Sequence, residues 1–256
     1  MDLFMQKMFF MIVVIIEAIF STIALIMLTL NSPFLDLFTD YAVAICAFFP
    51  VAAGFLLIKK YGIFNSLFGK CFSFLTAGLT LWFLGEFLWP IYSRVLNVEM
   101  PFPSLMDFLW MGGYIFIGIG VYIIFTIFKP NLVLKRLTRF LIIFLTLIVI
   151  LAIIFLTPII YYKASFLEQV IYCYYLIADI IILSLLMVVY RIFKGGEISK
   201  AWLILVLGII VIFLADIFFN LATSINSEFY LSLGDLIYIN GYSLTALGLI
   251  KHLMKL

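Results

Sequence analysis

The chain has 256 residues, 67% of them apolar and only 11% charged, with a mean hydropathy of +1.32. A soluble domain of this length cannot hide so much apolar surface, so the composition specifies an integral membrane protein. The formal net charge of +2 is no more than basic loops beside membrane spans would give, and nucleic acid is not expected as a partner.

The apolar stretches run to about 20 residues, enough to cross roughly 30 Å of hydrocarbon, and their continuity predicts helices rather than the alternating strands of a barrel. Eight spans follow in chain order, at 8–30, 41–58, 70–90, 105–128, 138–157, 168–190, 201–222 and 233–252. The first is too long for a secretory leader and no small-residue cleavage site follows it, so it is kept as a helix. It carries Glu17 near its middle, as the sixth carries Asp179. The third ends at Glu86, and the fourth opens on Asp107 with Trp110 and Tyr114 on the same helical face. The seventh places Asp216 with Asn220, and the eighth opens on Asp235, followed on its face by Tyr238 and Tyr242. Other Trp and Tyr residues near the span ends are expected as interface anchors.

Of the fifteen basic residues, only Arg94 and Lys163 fall in connections on one side of these spans, and the rest lie on the other. The basic side is therefore read as cytoplasmic, with both termini in it. Asp36, Asp40, Glu99, Glu168 and Glu228 collect in the opposite loops, giving an acidic outer face.

The sequence repeats at a shift of about half its length. KCFSFLTAGLTLWFLGEFLW from Lys70 lies over KAWLILVLGIIVIFLADIFFN from Lys200, matching Leu75 with Leu205, Gly78 with Gly208 and Glu86 with Asp216. Shortening the next loop by two residues brings Ser104, Asp107, Gly113, Tyr114 and Gly120 onto Ser232, Asp235, Gly241, Tyr242 and Gly248. The expected fold is an all-α polytopic membrane protein of eight transmembrane helices. It is built as two parallel four-helix repeats, residues 1–128 and 129–256, about an axis along the membrane normal.

Ser104-x-x-Asp107 and Ser232-x-x-Asp235 both fit the capping-box pattern, which predicts an N-cap role for the two acids. Glu86 and Asp216 need another explanation, because a carboxylate at a helix C-terminus faces the negative end of the dipole. Arg94 is the cation within sequence reach of Glu86. An intramembrane acid costs about 2.5–3.5 kcal/mol at the helix centre and so marks a functional site by default. The expected site is an outward-opening acidic pocket between the repeats. Asp216, Asn220, Asp235, Tyr238 and Tyr242 form one wall, and Glu86, Asp107, Trp110 and Tyr114 the other. Glu17 and Asp179 are read as intramembrane polar residues that glue helices or share a proton.

No catalytic residue is assigned, and no nucleophile triad, phosphate-cradling loop or zinc cluster is present in the sequence. Cys46, Cys71 and Cys173 show no pairing or metal spacing and are read as buried apolar residues. His252 is the lone histidine, so a haem with two axial histidines is excluded within one chain. No cofactor is expected, and a metal is left open.

The segment LADIFFNLATSINSEFYLSLGDLIYINGYSLTALGL, residues 214–249, resembles the closing helices of the multi-span sensory region of membrane-bound histidine kinases and diguanylate cyclases. Ala215, Asp216, Phe219, Asp235, Tyr238, Gly241 and Tyr242 carry the likeness. In that family the last helix feeds a cytoplasmic output module, whereas this sequence stops at Leu256. The resemblance implies a cell-membrane sensor or receptor-like module working through a separate signalling partner. One alternative is a transporter of a cation or small cationic solute. A second is an intramembrane aspartyl protease using Asp235 of LGD with Asp216. The expected partners are the lipid bilayer and a cytoplasmic protein, with self-association left open.

Overall fold

The computed structural model describes residues 2–98, 103–128, 165–225 and 227–256. Among them there are seven long α-helices and no strand: α1 (Leu3–Thr29), α2 (Leu35–Tyr61), α3 (Leu67–Pro90), α4 (Leu105–Phe128), α5 (Phe166–Phe193), α6 (Ser199–Ile225) and α7 (Glu228–Leu253). Each is long and apolar enough to cross a membrane, so the chain is a multi-pass membrane protein. The predicted fifth span at 138–157 lies outside the described residues, as does the predicted repeat boundary at 129.

Helix starts explain where the acids fall. Helix α2 begins at Leu35 rather than 41, so Asp36 occupies its first turn and Asp40 belongs to the helix, not to a loop. A carboxylate at that position suits the positive end of the helix dipole. Asp2 caps α1 by accepting from the Met5 amide at 2.8 Å, and Ser66 caps α3 through the Gly69 amide at 2.9 Å. Ser165 and Glu168 form a reciprocal capping box at the head of α5. Helix α7 starts at Glu228, behind Ser227, and so has made a full turn before Ser232.

The helices close a ring. Helix α2 packs on α3, α3 on α4, α4 on α5, α5 on α6, α6 on α7, and α7 returns to α2. Helix α1 lies outside, against α7 and α2, and most of its surface is exposed apolar side chain suited to lipid. A polar contact ties it to α7: the Asn240 amide donates to the Ser21 hydroxyl at 3.0 Å, and Ser21 donates to Glu17 at 3.5 Å. Glu17 thus bonds within α1, through Ser21, and it is Ser21 that meets Asn240 of α7 across the interface.

The broadest interfaces are α3 with α4 and α6 with α7, and small residues let these helices approach closely. On α4, Gly113 receives the Trp82 indole: a Cβ there would stand 2.2 Å from Trp82 Cδ1. Gly78 faces Ile117 and Gly120 faces Leu75 across the same interface. Across α6 and α7, Gly208 faces Thr245, Gly241 faces Ile212 and Gly248 faces Leu205.

At the basic end, His252 Nε2 and the Tyr61 hydroxyl share a 2.8 Å hydrogen bond inside a cluster containing Phe68, Phe72 and Trp202. Cys46 and Cys71 are buried as expected. Cys173 is not: it lies on the exposed face of α5, because its neighbours on the inner face, Tyr172 and Tyr175, turn it outward.

Candidate functional site

Inside the ring, at the end opposite the basic loops, is a partly open cavity of about 100 Å³. All six ring helices line it. Helix α2 contributes Asp40, α3 contributes Trp82, Glu86 and Trp89, and α4 contributes Asp107, Trp110 and Tyr114. From the other half, α5 adds Tyr172 and Tyr175, α6 adds Ile212, Asp216, Phe219 and Asn220, and α7 adds Asp235, Tyr238 and Tyr242. Helical spacing explains these sets, since positions three, four and seven apart share a face: 82, 86 and 89 on α3, and 212, 216 and 219 on α6.

Four of the cavity carboxylates, Glu86, Asp107, Asp216 and Asp235, have a defined hydroxyl partner. The Tyr242 hydroxyl on α7 donates to Glu86 on α3 at 2.8 Å. The Tyr114 hydroxyl on α4 donates to Asp216 on α6 at 3.1 Å, and Asp216 also accepts from Tyr238. Asp235 accepts from Thr39 of α2 at 2.9 Å. Asp107 accepts from Tyr175 of α5 at 3.1 Å. Glu86 and Asp216 are therefore held by phenol donors from across the ring, which offsets part of the cost of placing them in an apolar span. Neither stands at a helix C-terminus as expected, because α3 continues through Pro90 into the π turn and α6 runs on to Ile225.

Arg94 does not pair with Glu86. Helix α3 passes Pro90 and widens into one π turn, Ile91–Val95, which turns Arg94 toward α2, where its Nε meets Asp40 at 2.7 Å. The Arg94 side chain is 39% exposed and Asp40 only 9%, so the guanidinium stands at the rim of the cavity while the carboxylate lines it.

The two predicted caps differ. Asp107 accepts from the Ser104 amide at 2.7 Å and from its hydroxyl at 2.8 Å, while the Asp107 amide donates to the Ser104 hydroxyl at 3.4 Å. Asp235 is not a cap, because α7 starts earlier and the backbone amides at Ser232 and beyond are already inside the helix. Ser232 instead donates to Asp36 of α2 at 3.2 Å and to the Glu228 carbonyl at 3.0 Å.

Asp179 on α5 is 1% exposed and lies against Asp216 and Tyr114, with its Oδ2 lacking a hydrogen-bond partner among the described residues. Asp216 therefore has Asp179 as its carboxyl neighbour, while Asp235 is engaged by Thr39.

The chain matches no family model, no curated protein and no solved structure. The site is accordingly read from its own geometry. All nine residues predicted to form a pocket, Glu86 to Tyr114 from one half and Asp216 to Tyr242 from the other, line this single cavity. Glu17 lies apart from it, on α1.

Sequence reasoning missed Asp40, Trp82, Trp89, Tyr172 and Tyr175. Trp89, expected as an interface anchor, turns inward beside the predicted Trp110, with the two ring centroids 6.3 Å apart. Spacing held the signal: Trp82 and Trp89 flank Glu86 on one face, and Tyr172, Tyr175 and Asp179 repeat at three and seven on another.

Proposed function

We propose that this protein is a receptor-like membrane module that binds a ligand in the outward-facing cavity and passes its occupancy to the cytoplasmic ends of α4 and α7, where a signalling partner reads it. The observation that carries this reading is the reciprocal bonding of Tyr242 to Glu86 and Tyr114 to Asp216. Each tyrosine sits on a helix running to the basic end and is anchored on an acid from the other half of the ring. A ligand that engages Glu86 or Asp216 competes with those bonds, and the two helices are released together.

The duplicated architecture is supported by matching contacts. The glycine pairs of α3 and α4 recur on α6 and α7 at the shift found in the sequence: Gly113 on Trp82 with Gly241 on Ile212, and Gly120 on Leu75 with Gly248 on Leu205. The ring order, in which α2, α3 and α4 are followed by α5, α6 and α7, agrees with two parallel copies about an axis along the membrane normal. The basic loops support cytoplasmic termini, and residues 214–249 keep their likeness to sensory regions of kinases and cyclases. A transporter of a small cationic solute is the second reading, favoured by a central acidic cavity between duplicated halves.

Spin labels at Thr126→Cys on α4 and Lys251→Cys on α7, in a background lacking Cys173, test the coupling. The distance distribution between the labels is expected to shift when Tyr114→Phe and Tyr242→Phe are combined. An unchanged distribution contradicts the receptor reading, and saturable solute uptake into proteoliposomes replaces it with transport.

A further inference from the structure

The geometry points to an alkylated organic ammonium as the class of ligand that this cavity takes, with the carboxylates supplying the charge and the aromatic rings supplying the walls. This rests on the ligand-cavity reading above. Five carboxylates, Asp40, Glu86, Asp107, Asp216 and Asp235, line the cavity; Arg94 at the rim pairs with Asp40, and the described lining itself includes no Lys, Arg or His to balance the other four. Such a surface selects for positive charge.

Two features separate an organic cation from a metal ion. The acids come one from each of five helices, and among the described residues no three His, Cys, Asp or Glu side chains converge on a metal position. A hard cation needs several oxygens at coordination distance, whereas here the negative charge is spread around a ring. Aromatic side chains line the same cavity as the acids. Three of the four tryptophans, Trp82, Trp89 and Trp110, line the cavity together with Tyr114, Tyr238 and Tyr242. Rings of this kind attract a diffuse cation that has no hydrogen to donate, and aromatic cages are the recurring solution for quaternary ammonium groups.

The walls are set in place before any ligand arrives. Trp82 Nε1 donates to the Trp110 carbonyl at 3.0 Å, and its ring meets Tyr114 edge-on at 4.9 Å. Tyr238 and Tyr242 stack at 6.1 Å while their hydroxyls are held by Asp216 and Glu86. Fixed walls lower the ordering cost of binding. Size narrows the class further. The cavity is about 100 Å³ and partly open, so only a compact head can enter it. It suits a trimethylammonium head whose remainder extends through the open side. That head occurs both on free solutes such as choline and on phosphatidylcholine, and the experiment separates these sources.

The test is intrinsic tryptophan fluorescence of the full chain in a maltoside detergent, titrated with tetramethylammonium, choline and 3,3-dimethylbutanol, the uncharged isostere of choline. Both ammonium compounds are expected to give a saturable change, with choline binding about tenfold or more tightly than the isostere. Glu86→Gln and Asp235→Asn are each expected to weaken choline by about fivefold or more, while sodium chloride at matched ionic strength has little effect. In nanodiscs, loss of the choline response in phosphatidylcholine but not in phosphatidylglycerol identifies the lipid headgroup as the occupant. Retention in both identifies a free solute. Equal binding of choline and its isostere, or full competition by sodium or potassium, overturns the ammonium assignment and leaves the cavity reading standing. So does absence of any response while acrylamide still quenches Trp82, Trp89 and Trp110. If those tryptophans are sealed from acrylamide and nothing responds, the cavity reading falls too.

Discussion

The Tyr242 hydroxyl donates to Glu86 across 2.8 Å, joining α7 to α3 through the interior of the ring. Its counterpart, Tyr114 to Asp216 at 3.1 Å, joins α4 to α6 in the opposite sense. Two phenols thus hold two acids that an apolar span disfavours. Tyr242→Phe leaves Glu86 without that donor, and the expected loss is about 1–3 kcal/mol of stability. Thermal unfolding in detergent measures it. In a double-mutant cycle with Glu86→Gln, the coupling is expected to exceed about 0.5 kcal/mol. Additive losses contradict the contact.

Gly113 and Gly118 lie on the same helix and should behave oppositely. A Cβ at Gly113 meets Trp82 at 2.2 Å, whereas at Gly118 nothing lies within 4 Å. Gly113→Ala is therefore expected to destabilise the α3–α4 interface and shift tryptophan emission. Gly118→Ala should be neutral or gain up to about 1 kcal/mol from helix propensity. The two melting temperatures check this directly.

Ser104 and Ser232 occupy matching sequence positions but different structural ones. Ser104→Ala removes a helix cap at α4 and is expected to cost about 1 kcal/mol. Ser232→Ala removes a contact with Asp36 from the interior of a helix and should cost less. A larger loss at Ser232 than at Ser104 contradicts the helix start at Glu228.

Arg94 at the rim neutralises Asp40 and stands near the other outer acids. Because the pair is partly solvated, Arg94→Gln should change stability by no more than about 1 kcal/mol. Removing this competing charge is nevertheless expected to tighten choline binding severalfold, measured by the same fluorescence titration. Weaker binding in this variant contradicts a cationic ligand.

The site was legible to the extent that an ionisable residue in an apolar span is conspicuous. Glu86, Asp107, Asp216 and Asp235 stand out for that reason, and the tyrosines at 114, 238 and 242 follow from helical spacing. What the sequence concealed was long-range. Tyr242 and Glu86 are 156 positions apart, and nothing local pairs them. Asp40 was lost because Leu35–Asp40 mixes acids with apolar residues and reads as a loop, although a carboxylate in the first turn is a favourable way to begin a helix. The capping pattern misled at Asp235 because the motif is indifferent to whether a helix has already begun, and Glu228 begins it earlier. Arg94 was assigned to the nearer acid in sequence, but the π turn carries it to Asp40.

The central claim, that acids from the two halves meet in one cavity, is tested most directly by paired cysteines in a background lacking Cys46, Cys71 and Cys173. Glu86→Cys with Tyr242→Cys, and Asp216→Cys with Tyr114→Cys, are treated with a short methanethiosulfonate cross-linker in membranes, with Glu17→Cys and Asp216→Cys as the distant control. Cross-linking of both pairs but not the control is the predicted result. Failure of both pairs, with each single cysteine still reactive toward a monofunctional reagent, would contradict the account.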